Sequence, residues 1–98
     1  MIDFNGFDWG DSSENFKNLL TREFSKHNSY EKFFQVEAGD IVVDLGASVG
    51  PFTWSILNKN PSQCYAVEAL SKYLPILYNN IGRSNVKIFN YAIPISNE

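Results

Sequence analysis

Residues 39–53 decide the fold, and they read Gly39-Asp40-Ile41-Val42-Val43-Asp44-Leu45-Gly46-Ala47-Ser48-Val49-Gly50-Pro51-Phe52-Thr53. The run 41–45 is short, rich in β-branched residues and almost unbroken in its apolar character, which is typical of a strand buried on both faces of a parallel sheet. Glycines at 46 and 50 indicate a turn. Pro51 suits the first turn of a helix, because its missing N–H costs little there. The stretch therefore predicts a strand, a glycine turn and a helix in succession.

The same alternation continues toward the C-terminus. The predicted elements are a helix over 52–59, a strand over 63–68, a helix over 71–81 that Ser71 caps and Gly82 ends, and a strand over 86–92. A β-α-β-α-β order implies a parallel sheet with right-handed crossovers. We therefore expect an α/β fold with a three-stranded parallel sheet, ordered 3-2-1, and flanking helices.

The N-terminal side has a different character. Its first ten residues are rich in Gly, Asp and aromatic side chains and predict an irregular segment. Asp11 and Glu14 resemble a capping box, and the apolar spacing that follows predicts a helix at about 12–26. A cluster at Tyr30, Phe33 and Phe34 predicts a short second helix. We accordingly divide the chain into an N-terminal helical lead-in, 1–38, and an α/β domain, 39–98.

Charge and composition narrow the function classes. The 98 residues carry a net charge of −3, with no run of like charges, which argues against a nucleic-acid or anionic-membrane partner. No apolar run approaches the roughly 20 residues that span a bilayer, and the first residues lack the pattern of a secretory signal. Cys64 is the single cysteine, and we expect no metal site. These features favour a cytoplasmic protein.

Two acidic residues mark the predicted site. Asp44 ends the first strand, and Glu68 ends the second strand 24 positions later. Because the carboxyl ends of parallel strands meet at one edge of the sheet, both carboxylates should lie beside the glycine turn. Gly46 and Gly50 allow the backbone to approach a ligand closely. An acidic residue in the position of Glu68 typically accepts hydrogen bonds from the hydroxyls of a ribose.

The stretch from Gly39 to Thr53 resembles motif I of the FkbM family of S-adenosylmethionine (SAM)-dependent methyltransferases, which typically reads G-D-x-V-x-D-x-G-A-x-x-G-x-[FY]-[ST]. Further matches follow along the chain: Tyr65-Ala66-Val67-Glu68-Ala69 resembles the second strand, Leu77 and Asn80 fit an L-x-x-N pattern, and 85–92 fits the third strand. The resemblance covers about residues 30–95. It implies a truncated Rossmann-like SAM-methyltransferase fold.

The resemblance also implies roles for individual residues. Asp44 with the backbone of Gly46 and Ala47 would hold the methionyl part of SAM, in a turn completed by Ser48 and Gly50. Glu68 would bind the ribose hydroxyls. The adenine would lie between two groups of residues: Ala69 and Leu70 on one side, and Asn90, Tyr91 and Ala92 on the other. The chain departs from the family at Ala69, where proline is usual, and at Tyr91, where many methyltransferases carry an aspartate that bonds the adenine amino group.

The family implies methyl transfer, to an oxygen of a small molecule or sugar. Its sheet is larger, and the substrate-facing residues follow the fourth strand. We therefore expect this chain to hold the cofactor-binding half of such an enzyme and to be inactive alone. Strand 41–45 would then form an exposed apolar edge, which is an association hazard. We expect a homodimer that covers this edge.

Three other interpretations remain open at this point. Gly46-Ala47-Ser48-Val49-Gly50 also matches the G-x-S-x-G turn of α/β-hydrolases, with Ser48 as nucleophile, although the single histidine, His27, precedes it. A nicotinamide-binding domain would need glycine where Ser48 stands. The third interpretation is an α/β fragment without a ligand, or a module that only oligomerises.

Overall fold

A computed structural model describes residues 3–10, Asn18 and 35–92. Its elements are strand β1 (Ile41–Leu45), helix α1 (Pro51–Ile56) with a 3₁₀ turn (Leu57–Lys59), strand β2 (Gln63–Glu68), a 3₁₀ turn (Ser71–Tyr73), helix α2 (Leu74–Ile81) and strand β3 (Val86–Asn90). The helices predicted at 12–26 and around Tyr30 fall outside the described residues. The division of the chain after residue 38 stays a prediction.

The three strands form one parallel sheet in the order β1-β2-β3. Its register aligns Val43 with Tyr65 and Tyr65 with Lys87. The predicted α/β class, parallel pairing and strand order are confirmed. Each strand is joined to its neighbour by a helix-containing crossover, so both helices lie on the same face of the sheet.

The core fills the space between the helices and that face. Its buried side chains come from β2 and β3 on one side and from α1 and α2 on the other: Cys64, Ala66, Val86, Ile56, Leu77 and Ile81. Cys64 and Ala66 are small, which lets the helices approach the central strand closely. Leu77 and Ile81 are fully buried against them. This layer fixes where α1 begins and hence where the glycine turn lies.

The face of β1 that the helices do not cover is exposed, which differs from the prediction. Ile41, Val43 and Leu45 are 68%, 57% and 61% exposed, so the expectation of a strand buried on both faces is wrong. The apolar run correctly indicates a parallel sheet, but both crossovers cover the same face. β1 also forms one edge of the described sheet.

Two predicted boundaries are also corrected. Ser71 does not cap α2, because its hydroxyl donates to Asn90 Oδ1 and a 3₁₀ turn precedes the helix. α2 begins at Leu74, which leaves Pro75 in the first turn, where it displaces no helical hydrogen bond. β3 ends at Asn90, two residues before Ala92. Gly82 does end α2, and its N–H donates to the Tyr78 carbonyl.

Residues 3–10, called the strap below, are irregular, as predicted, and pack against the two helices. Phe7 and Trp9 are buried with Val49, and Phe4, Trp54, Tyr73 and Ile76 pack around them. Within residues 3–10, Asn18 and 35–92, no helix has the length and apolarity that crossing a membrane requires.

Candidate functional site

Two carboxylates lie at the carboxyl end of the sheet, beside the glycine turn. Asp44 stands at the end of β1 and Glu68 at the end of β2, and they are 9% and 6% exposed. The register pairs Asp44 with Ala66, two residues before Glu68, so both carboxylates belong to the helix-covered face. The structure therefore brings together the two acidic residues that the sequence singled out.

Glu68 joins two loops through its carboxylate. Oε1 accepts a hydrogen bond from the Ser48 N–H at 2.6 Å, and Oε2 accepts one from the Leu70 N–H at 2.8 Å. Hydrogen bonds to an ionised carboxylate are stronger than neutral ones, so Glu68 fixes the glycine turn against the turn after β2. Each oxygen has a second lone pair, and further donors can still be accepted.

Asp44 is held by helix α1. The Thr53 hydroxyl donates to Asp44 Oδ2 at 2.8 Å, and Thr53 itself is fully buried. Burial raises the pKa of Asp44 above its ordinary value, hydrogen bonds from Thr53 lower it, and the nearby charge of Glu68 raises it. Sequence reasoning missed Thr53, although it occupies the hydroxyl position of the family pattern, nine residues after Asp44.

The glycine turn is anchored to β2 by its own backbone. The N–H groups of Gly46 and Ala47 both donate to the Val67 carbonyl, at 2.9 and 3.0 Å. They are thus engaged within the protein, and their predicted use in holding the methionyl group stays a prediction. Gly46 has a φ of +75°, and a Cβ added there would meet nothing within 4 Å. The turn therefore presents open space at Gly46.

Ser48 adopts a left-handed backbone, with a φ of 56°. This conformation is uncommon for a residue with a side chain. It directs the Ser48 N–H to Glu68, which accounts for it without a catalytic role. The part of the chain that the structure describes contains no histidine, since His27 lies outside it. The described residues thus place no base beside Ser48 and give the hydrolase interpretation no support.

Asn90 stabilises the turn after β2 through hydrogen bonds. Its Nδ2 donates to the carbonyls of Glu68 and Ala69, at 2.9 and 3.0 Å, and the Tyr91 N–H also donates to the Glu68 carbonyl. Leu70 and Tyr91 lie beside these hydrogen bonds, and the two residues are 51% and 62% exposed. These two side chains offer apolar surface beside the Glu68 turn. Ala69 and Ala92 are exposed too.

The described residues provide no candidate metal site. Across residues 3–10, Asn18 and 35–92, no three His, Cys, Asp or Glu side chains are grouped so that they could hold a metal ion.

Solved structures share this fold. A SAM-dependent methyltransferase from Aquifex aeolicus superposes with a TM-score of 0.58 at 18% identity, over 85% of this chain and 48% of that one. Phosphoethanolamine N-methyltransferase 1 from Haemonchus contortus, solved with phosphoethanolamine and S-adenosylhomocysteine, gives 0.52 at 15% identity, over 76% of this chain and 20% of that one. The chain has the Rossmann-like fold of SAM-dependent methyltransferases.

A third structure with this methyltransferase fold comes from a complex. It contains the Trm112 methyltransferase activator of Haloferax volcanii and a provisionally assigned methyltransferase, and gives a TM-score of 0.56 at 18% identity, over 76% of this chain and 33% of that one. The chain thus spans between a fifth and about half of these structures. No protein-family model matches the chain, and no curated protein sequence matches it significantly.

Proposed function

We propose that this chain binds SAM at the carboxyl edge of its sheet and represents the cofactor-binding half of an FkbM-type methyltransferase. One observation carries the proposal: the buried carboxylate of Glu68 ends β2, and two backbone N–H groups fix it directly beside the glycine turn. In this fold a carboxylate at that point is suited to a ribose. The FkbM assignment rests on the sequence resemblance.

The residues present fit the cofactor. Glu68 retains lone pairs for two ribose hydroxyls, and Asp44 places negative charge near the turn, where the positive methionyl ammonium group of SAM would be favoured. Open space at Gly46 admits a ligand close to the backbone. Leu70 and Tyr91 offer apolar surface to an adenine. Bound SAM supplies an electrophilic methyl group on its sulfonium.

The test is a calorimetric titration of SAM, S-adenosylhomocysteine and NAD into the purified chain. We expect saturable binding of the first two ligands only. Glu68→Ala should weaken binding by about 1–3 kcal/mol, because it removes a charged hydrogen-bond acceptor. Glu37→Ala is the matched control, since Glu37 is an exposed acid before β1. Equal affinities for the parent and Glu68→Ala would refute the ribose role.

The methyl acceptor belongs to the same proposal. By resemblance to the FkbM family it is an oxygen of a small molecule or sugar. No described side chain is assigned to the acceptor or to a general base, so we propose that this chain alone binds the cofactor without transferring its methyl group. A methyl-transfer assay with radiolabelled SAM and sugar acceptors tests this, and turnover by the chain alone would contradict it.

We also propose that two copies of the chain pair through β1. The Gly46 N–H donates to the Val67 carbonyl of β2. Because the backbone groups of successive strand residues point to alternate sides, the N–H and C=O groups of Ile41, Val43 and Leu45 point to the free edge of β1. A twofold axis at Val43 would then pair Val43 with its copy and Ile41 with Leu45. Asp44 would lie opposite Val42 rather than the other Asp44, so no like charges meet.

A further inference from the structure

The strap is bound to the rest of the molecule at several points. Phe7 packs edge-on against Trp54, with ring centroids 5.0 Å apart, and the Trp54 Nε1–H donates to the Asp3 carbonyl at 2.8 Å. Phe7 also shares a buried cluster with Val49, a residue of the glycine turn. The strap therefore packs directly against the turn assigned to the cofactor.

Asn80 of helix α2 contacts both the strap and the turn. Its Oδ1 accepts the Asp8 N–H at 2.9 Å, and its Nδ2 donates to the Asp8 carbonyl at 2.8 Å. The second Nδ2 hydrogen goes to the Val49 carbonyl, also at 2.8 Å. Both amide hydrogens are thus in use, and the side chain is 2% exposed. One buried amide links a strap residue to a turn residue.

These contacts hold the glycine turn from two sides. Glu68 binds the N–H of Ser48, and Asn80 binds the carbonyl of the next residue, Val49. If Asn80 is lost, the Val49 and Asp8 carbonyls each lose a donor, and the buried Val49 carbonyl is costly to leave unpaired. The shape of the turn and the docking of the strap therefore depend on the same side chain.

We infer that Asn80 is a positioning residue that couples docking of the strap to cofactor affinity at the glycine turn. The inference rests on the proposed SAM site. Coupling between two sites is reciprocal, so a ligand at the turn must stabilise the docked strap as much as the docked strap favours the ligand. The strap then contributes to cofactor affinity, although it lies behind the turn.

Amide hydrogen exchange without ligand tests the coupling first. In Asn80→Asp, which replaces the amide donors at nearly constant size with a carboxylate that repels the Asp8 and Val49 carbonyls, exchange should quicken at Asp8 and also at Ser48 and Gly50. Asn79→Asp adds the same charge at an exposed neighbouring position and should leave these amides unchanged. Phe7→Ala loosens the strap with Asn80 intact. Faster exchange at Asp8 alone in this variant would overturn the coupling, and faster exchange in the turn would uphold it.

Titration of S-adenosylhomocysteine gives the second measurement. Loss of the Asn80 hydrogen bonds should raise Kd about tenfold, and Phe7→Ala should raise it less in the Asn80→Asp background than in the parent. Unchanged affinity in both single variants would overturn the inference. A parent chain that binds no S-adenosylhomocysteine would overturn the proposed function instead, and the exchange experiment would still decide whether strap and turn are coupled.

Discussion

At the scale of single residues, the site combines a buried charge with few partners to stabilise it. Asp44 has the Thr53 hydroxyl at 2.8 Å, and the nearby Glu68 adds a second negative charge. Burial is the largest influence and raises the pKa of Asp44. The ionised carboxylate is therefore less favourable in the folded chain than in the unfolded one, and Asp44 at neutral pH lowers stability.

Asp44→Asn should stabilise the chain in a pH-dependent way. With its pKa raised, Asp44 contributes stability below its unfolded pKa of about 3.9 and loses this contribution as pH rises through the folded value. Asparagine stays neutral and still accepts from Thr53. In urea denaturation, the stability difference between variant and parent should thus grow as pH rises above about 4 and level off above the raised pKa of Asp44 in the folded chain.

The same variant should bind SAM more weakly at neutral pH, because it lacks the negative charge near the methionyl ammonium group. Glu37→Gln serves as the control, since it removes an exposed acid without touching the site. A stability difference for Asp44→Asn that is constant with pH would contradict the assignment of a buried, disfavoured charge.

Residue-scale prediction from the sequence succeeded where local pattern carries the information. Asp44 and Glu68 each follow an apolar run, so their placement at strand ends follows from the pattern itself. Thr53 and Asn80 acquire their roles from partners brought near by folding, and Asn80 reaches Asp8 across 72 positions of chain. No periodicity in one sequence indicates such a contact, although both residues fit the family pattern.

At the scale of elements, the start of α1 depends on its close approach to α2. Gly50 precedes α1 with a φ of +98°, and a Cβ added there would lie 2.9 Å from Leu77 Cδ1 and 3.1 Å from Ile81 Cγ2. The position therefore demands glycine for two reasons, the left-handed backbone and the lack of space. The helix crossing and the shape of the turn both follow from it.

Gly50→Ala should lower the free energy of unfolding by about 2–4 kcal/mol, the sum of backbone strain and overpacking. Gly39→Ala is the matched control, because Gly39 has a φ of +88° but open space around its Cα. It should cost only the strain, about 1–2 kcal/mol. Chemical denaturation measures both. Equal losses for the two variants would show that the contact with α2 contributes nothing.

The strands were predictable from their apolar runs, and β1 and β2 have the predicted bounds. The start of α2 was not predictable in this way. The Ser71 hydroxyl donates a hydrogen bond to Asn90 on β3 and does not cap the helix N-terminus. The exposed face of β1 was mispredicted for a similar reason. An apolar run indicates that a strand can be buried. Which of its faces is covered depends on the side of the sheet to which the crossover helices pack.

At the scale of the whole molecule, the described helices lie on one side of the sheet. On the other side, Ile41, Val43 and Leu45 form an apolar row along the edge strand, with Phe89 45% exposed on the same face. Pairing through β1 would set Ile41 beside Leu45 of the other copy, and Val43 beside its own copy, on this face. Each such apolar cross-strand pair would contribute roughly 0.2–1 kcal/mol to the proposed pairing.

Val43→Lys should therefore shift the chain from dimer to monomer in light scattering, because it places two charges at the twofold axis. Tyr78→Lys is the control, since Tyr78 is 55% exposed on α2, away from the edge. Val43→Pro gives a second test: its N–H points outward, so proline spares the β1–β2 ladder and blocks pairing at the edge. A parent chain that scatters as a monomer would refute the dimer.

The parallel order of the strands gives the sheet a polarity, with every carboxyl end at one rim. A twofold pairing through β1 reverses that polarity from one copy to the other. The two cofactor rims would then open at opposite ends of a six-stranded sheet. Neither copy would shield the cofactor of the other, and two acceptors could approach from opposite directions at once. The dimer would therefore carry one independent cofactor per chain.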